Sequence, residues 1–159
     1  MRIHFVCSGN TNRSRMAEAY LKSKKMPGVS ASSSGITAIP GSDDGAVSKY
    51  AEKVLGDAHI LDYASSERVR TTPELLNNAD LVIFMAQKHF DYVKNELRMV
   101  PRKYEIWHVG DIPPDFWWWL IPIRKKKLVD DRDIFEAIKV HADELVRALS
   151  KKNNPGVRG

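Results

Sequence analysis

Cys7-Ser8-Gly9-Asn10-Thr11-Asn12-Arg13-Ser14 places a thiol and a guanidinium at the two ends of a short polar run, with five residues between them. A loop of that length can wrap into a ring whose successive N–H groups converge on one centre, a geometry that suits the oxygens of a phosphate group. Arg13 can close such a ring as a planar fork on two of those oxygens. Gly9 is expected to supply the backbone freedom that the wrap requires. At the base of the ring Cys7 lies in the same positive field, which stabilises charge on its sulfur and places it for in-line attack on a bound phosphorus. Ser14 Oγ is positioned to donate to that sulfur when it has to leave.

The flanking sequence must hold the loop at one end of a scaffold. Ile3 to Val6 is a short β-favouring run directly before the loop, and a helical pattern opens at Ser14. In that helix Met16, Ala17, Tyr20 and Leu21 share one face, while Arg15, Glu18 and Lys22 fall off it. Met26-Pro27-Gly28 ends the helix. Further on, a weak strand at Val29–Ser33 is followed by a helix carrying Val47, Tyr50, Ala51, Val54 and Leu55, closed by Gly56. Thr72-Pro73 opens a short helix to Asn78. Leu81–Met85 is apolar throughout, as in a strand covered on both faces. A helix over Gln87–Leu97, an alternating strand over Tyr104–Val109 and an amphipathic helix over Asp131–Ser150 complete the order. Alternating strands and helices predict an α/β fold: three layers, a four-stranded parallel sheet with helices on both faces, and the anion loop after the first strand.

The 159 residues, 43% hydrophobic and 28% charged, suit one domain over residues 1–150 with a frayed tail at 151–159. The net charge of +5 is spread along the chain, which suits a basic surface and does not call for a nucleic-acid partner. One cysteine excludes an intramolecular disulfide and a Cys-rich zinc site, and the five histidines show no metal-ligand spacing. No apolar run approaches the roughly 18 residues of a membrane span, and the N-terminus has no signal-peptide plan, so a cytoplasmic location is expected.

The segment VCSGNTNRSRMAEAYL resembles the active-site loop and first helix of the low-molecular-weight protein tyrosine phosphatase family. Ser33-Ser34-Gly35-Ile36 resembles that family's Ser-Ala-Gly-Thr turn, and Asp80–Met85 its Asp-Leu-Ile-Leu-Ala-Met strand. The resemblance implies phosphate-ester hydrolysis through a phosphocysteine on Cys7, with a phosphorylated protein as substrate, no cofactor and no metal. Inorganic phosphate or a similar oxyanion would be product or inhibitor. It also implies that Ser8, Gly9, Asn10, Thr11, Asn12, Arg13 and Ser14 form the phosphate site. Asn10 and Ser14 would hold the loop, and Ser33 would support Asn10 from behind.

Three departures from the family pattern stand out. Asn12 occupies the place of a second cysteine, so Cys7 has no disulfide partner. Arg15 replaces a proline, and Tyr63-Ala64-Ser65-Ser66 replaces a His-x-(Ala/Ser)-Arg segment; both of these are expected to be peripheral. The family's Asp-Pro general acid is also missing. The corresponding loop, Val109-Gly110-Asp111-Ile112-Pro113-Pro114-Asp115, offers Asp111 when counted from the strand and Asp115 when the text is matched.

After it comes an insertion at about 116–128, Phe116-Trp117-Trp118-Trp119 followed by Arg124-Lys125-Lys126-Lys127. Phe116 and Trp117 could rim the phosphate pocket. The segment could instead pack locally, or touch an anionic membrane. Phosphotyrosine is the first substrate reading. Thr11 points to phosphoarginine as the alternative, because bacterial relatives of that specificity resemble this loop in having Thr there, whereas Ile is typical of the tyrosine enzymes. A phosphate-binding module without turnover is the remaining alternative, and a thioredoxin-coupled arsenate reductase is excluded by the lone cysteine.

Overall fold

Strand β1 spans Arg2–Cys7 and is the axis of the molecule, because its side chains alternate between two buried faces. Ile3, Phe5 and Cys7 point into one apolar cluster, and Val6 into another. The computed structural model describes residues 1–42, 45–110 and 131–153. After β1 come α1 (Arg13–Ser23), β2 (Ser30–Gly35), α2 (Lys49–Asp57), a 3-10 turn (Leu61–Tyr63) and α3 (Pro73–Asn77). Then follow β3 (Leu81–Phe84), α4 (Gln87–Asn95), β4 (Tyr104–Ile106) and α5 (Asp131–Asn153).

The sheet has four parallel strands in the order β2-β1-β3-β4. The α/β architecture expected from the alternating pattern is therefore the one observed. Helices α1, α2 and α5 cover the face carrying Ile3, Phe5, Leu81 and Ile83, where Met16, Leu55 and Ile138 have no exposed surface. Leu76 of α3 and Val93 of α4 cover the other face, against Val6, Val82 and Phe84. Truncating one of these fully buried aliphatic side chains to alanine is expected to cost about 2–5 kcal/mol. The chain turns from β1 toward β2 on one side and reaches β3 on the other, so the carboxyl end of β1 is the switch point where open α/β sheets bind ligands.

Several local features depart from the periodicity. Val47 precedes α2, because Ser48 Oγ accepts from Ala51 N at 3.2 Å and starts the helix at Lys49. Its buried stripe is Ala51, Val54 and Leu55, and Tyr50 is 70% exposed. Gly56 lies inside α2, which runs on to Asp57. β4 stops at Ile106, and His108 has a left-handed φ of 52°. The ladder to β3 nonetheless continues, with Trp107 N donating to Phe84 O and Val109 N to Met85 O, each at 2.9 Å. The largest difference concerns α1, where Arg15 and Glu18 lie off the apolar face and yet have no exposed surface. They are buried because they neutralise each other.

Candidate active site

The loop leaves β1 against the end of β2, and the two are bonded as an extension of the sheet. Cys7 O accepts from Ile36 N and Ser8 O from Thr37 N, both at 2.9 Å. This approach is so close that a Cβ on Gly35 would lie 2.4 Å from Ser8 O and 2.6 Å from Asn10 N. Glycine is thus required at 35. At Gly9, where the sequence suggested it, an added Cβ would meet only Thr11 Oγ1 at 3.5 Å, and the positive φ of the loop, 58°, belongs to Asn10. Asparagine tolerates that region better than other side-chain-bearing residues.

The conformation of Asn10 turns its amide inward. Asn10 N lies 3.3 Å from Cys7 Sγ, and Ser14 Oγ lies 2.9 Å from the same sulfur. Asn10 Nδ2 donates to Ser14 Oγ at 3.1 Å and to Ser33 Oγ at 2.8 Å. A hydroxyl that accepts from an amide in this way has its proton free to point at the sulfur. Cys7 is buried. Thr11, half-buried at the loop's turn, accepts at its carbonyl from Ser48 N at 2.8 Å, which ties the loop to the start of α2.

Arg13 opens α1, and its Nη1 donates to Val109 O at 3.1 Å, just after β4. The position of a Cβ on Gly110 lies 3.6 Å from Arg13 Cδ. The guanidinium therefore stands beside the point where the chain enters the segment with both acid candidates. Asp111, Asp115, Phe116 and Trp117 lie outside the described residues, as do the remainder of the insertion and the tail beyond Asn153.

Two groups behind the loop were not visible in the sequence pattern. His89, on the first turn of α4, is fully buried and places Nε2 3.0 Å from Ser8 Oγ. Burial, together with the charges of Arg13 and Lys88, lowers its pKa to about 3, so the ring is neutral. The second group is the ion pair of Arg15 and Glu18, 2.9 Å apart. Burial alone would raise the carboxyl of Glu18, but hydrogen bonds from Lys22, Ser33 and Ser65 and the charge of Arg15 hold it below the usual range. The spacing of Arg15 and Glu18, three residues apart on one helix, was the one available signal. Nothing in periodicity distinguishes a buried pair of that kind from an exposed one.

A parallel sheet that presents a thiol and a guanidinium on one loop at the end of its first strand has the arrangement of an oxyanion site. Residues 2–110 match the family model described as "Low molecular weight phosphotyrosine protein phosphatase". The protein-arginine-phosphatase of Bacillus subtilis is 30% identical over 162 residues, covering 96% of each chain. Among solved structures, YwlE arginine phosphatase from Geobacillus stearothermophilus superposes with a TM-score of 0.75 at 26% identity, over 99% of this chain and 98% of that one. A cysteine-to-serine mutant of YwlE arginine phosphatase, with a phosphorylated active-site serine, aligns with a TM-score of 0.64 at 28% identity, over 96% and 95% of the two chains. The chain belongs to the low molecular weight phosphotyrosine protein phosphatase family, and it is a cysteine-dependent protein phosphatase by that membership.

Proposed function

We propose that Cys7 removes the phosphoryl group from phosphoarginine side chains of proteins. The observation that carries the chemistry is the pair of contacts on Cys7 Sγ, from Asn10 N and Ser14 Oγ, in a loop that runs into Arg13, whose Nη1 donates to Val109 O. The sulfur attacks phosphorus as the bond to the leaving nitrogen breaks, and Arg13 and the loop amides hold the three oxygens. Asp111, two residues past the Val109 carbonyl that anchors Arg13, protonates the leaving nitrogen; Asp115 is the alternative acid. The same carboxylate then takes a proton from water, which attacks phosphorus while the S–P bond breaks, and Ser14 donates to the departing sulfur. Inorganic phosphate is released and is expected to inhibit competitively. A free thiol as nucleophile, with Asn12 where a disulfide partner would stand, suits a reducing compartment such as the cytoplasm.

Support for phosphoarginine comes from Thr11 and from the two arginine phosphatases that match nearly the whole chain. A polar threonine hydroxyl at the rim can meet the N–H groups of a guanidino leaving group. Phosphotyrosine is the second reading, favoured by Phe116 and Trp117, whose rings could stack on a phenyl ring.

The test compares kcat/KM on matched phosphoarginine and phosphotyrosine peptides, with Cys7→Ser as the inactive control. Preference for phosphoarginine is expected, and Thr11→Ile should move the ratio at least tenfold toward phosphotyrosine. A wild-type preference for phosphotyrosine that Thr11→Ile leaves unchanged contradicts the proposal. Tight binding of either peptide without turnover would instead mark a phosphate-binding module.

A further inference from the structure

Arg15 on α1 and Ser65, just after the 3-10 turn, meet at one carboxylate: Arg15 Nη1 and Ser65 Oγ donate to the two oxygens of Glu18. A guanidinium with no exposed surface is retained only when its donors are used. Arg15 uses them on the anion loop. Its Nε donates to Asn10 O at 3.0 Å and its Nη2 to Asn10 Oδ1 at 2.9 Å, so one edge of the fork grips both the backbone and the side chain of a single residue. Nη2 also donates to Glu67 O, and Val69 N donates to Asn10 Oδ1 at 2.8 Å. The segment after α2 is thereby tied to the same asparagine.

Asn10 is the residue whose left-handed backbone aims an amide at Cys7 Sγ, and whose Nδ2 orders Ser14 and Ser33. Ser33 Oγ then donates to Glu18, so the network closes on itself: Arg15, Asn10, Ser33, Glu18 and back to Arg15. We infer that Arg15 is a positioning residue for the reaction, holding Asn10 in the one conformation that directs both Asn10 N and Ser14 Oγ to the nucleophilic sulfur. A planar fork can grip two oxygens of one residue at once; a lysine ammonium, a point charge on a flexible stem, cannot reproduce that geometry.

The inference rests on the reading of the Cys7–Arg13 loop as the catalytic site, and the experiment separates the two. Turnover of an aryl phosphate and inhibition by inorganic phosphate are measured for the wild type, Cys7→Ser, Arg15→Lys and Arg15→Gln. Because Cys7 is the single cysteine, the fraction of its alkylation by iodoacetate that saturating inorganic phosphate prevents counts folded sites and normalises kcat. Circular dichroism checks the fold. Arg15→Lys is expected to lower normalised kcat at least tenfold and to raise the inhibition constant of inorganic phosphate at least fivefold, with Arg15→Gln at least as impaired. Loss of folded molecules alone would leave that inhibition constant unchanged.

A folded Arg15→Lys whose normalised kcat and phosphate inhibition both stay within twofold of wild type overturns the inference. Should neither variant fold, the wild type answers through NMR: the Arg15 Nε–H and Asn10 Nδ2 signals should shift on saturation with inorganic phosphate, and unmoved signals refute the role. Full turnover by Cys7→Ser would remove the catalytic reading itself, whatever Arg15 does.

Discussion

Ser14 Oγ lies 2.9 Å from Cys7 Sγ while accepting a hydrogen bond from Asn10 Nδ2 at 3.1 Å. In the proposed reaction that arrangement directs the serine proton to the sulfur at the step where the sulfur becomes the leaving group. Ser14→Ala should therefore slow dephosphorylation of the enzyme more than its phosphorylation. A hydrogen bond to a charged group is worth about 1.5–3 kcal/mol, so kcat should fall roughly 10- to 100-fold. Stopped-flow release of an aryl alcohol should show a burst that the wild type lacks or shows more weakly. Unchanged kcat without a burst would remove Ser14 from the mechanism.

Gly35 and Gly9 should respond in opposite ways to the same added methyl group. At Gly35 a Cβ would overlap Ser8 O and Asn10 N, both backbone atoms of the anion loop. Gly35→Ala is expected to destabilise by about 1–3 kcal/mol, as overpacking does, and to abolish measurable turnover by displacing the loop. Gly9→Ala has room, and should retain kcat within about threefold and stability within about 1 kcal/mol, since alanine at an unstrained glycine position is tolerated. Urea unfolding and steady-state kinetics on the two variants give the comparison; equal damage at both sites would contradict the loop geometry.

Acid should destabilise the fold through two buried histidines. Burial lowers His4 to about 4, with Glu18 opposing the shift, and His89 to about 3. The unfolded chain takes up protons on these rings near their ordinary value of 6.5, while the folded chain does not. Their contribution is therefore complete above about pH 6.5 and is lost as pH falls toward 4 and 3. Glu18, held low in the folded state, acts in the same direction at lower pH. Stability from urea titrations should decline below pH 6.5 at up to about 2.7 kcal/mol per pH unit, the value for two protons. His89→Gln should remove about half of that slope. A flat profile between pH 4.5 and 7 would mean that the rings protonate without unfolding.

The general acid can be assigned by leaving-group dependence. Loss of a positioned acid typically costs about 10²–10⁴ in rate when the leaving group is poor, and much less when it is good. Asp111→Asn is expected to show that pattern across a series of aryl phosphates, whereas Asp115→Asn stays near wild type. The reverse result would transfer the role to Asp115, and indifference of both would place the acid elsewhere.

The loop was legible because its chemistry is local in the chain: Cys7, Arg13 and Ser14 need only a strand before them and a helix after them. The sheet was legible for a similar reason, since Leu81–Phe84, buried at every position, reads as a strand covered on both faces. The support behind the loop was not. Arg15 and Glu18 look like solvent-facing positions of an amphipathic helix, and their burial depends on Asn10, Ser33 and Ser65, which approach from other segments. His89 meets Ser8 across 81 residues of sequence. Glycine was sought inside the loop, at Gly9, whereas the steric demand arises at Gly35 on the neighbouring strand. Periodicity reports which side chains are apolar; it carries no information on which polar ones will find partners.

The most direct measurement is rapid acid quench of the enzyme mixed with a phosphoarginine peptide, followed by mass analysis of the peptide that contains Cys7. A transient phosphoryl adduct on Cys7 is expected, formed and lost at rates compatible with turnover and prolonged in Ser14→Ala. Turnover at the same rate with no adduct on Cys7 in either protein would contradict a phosphocysteine intermediate.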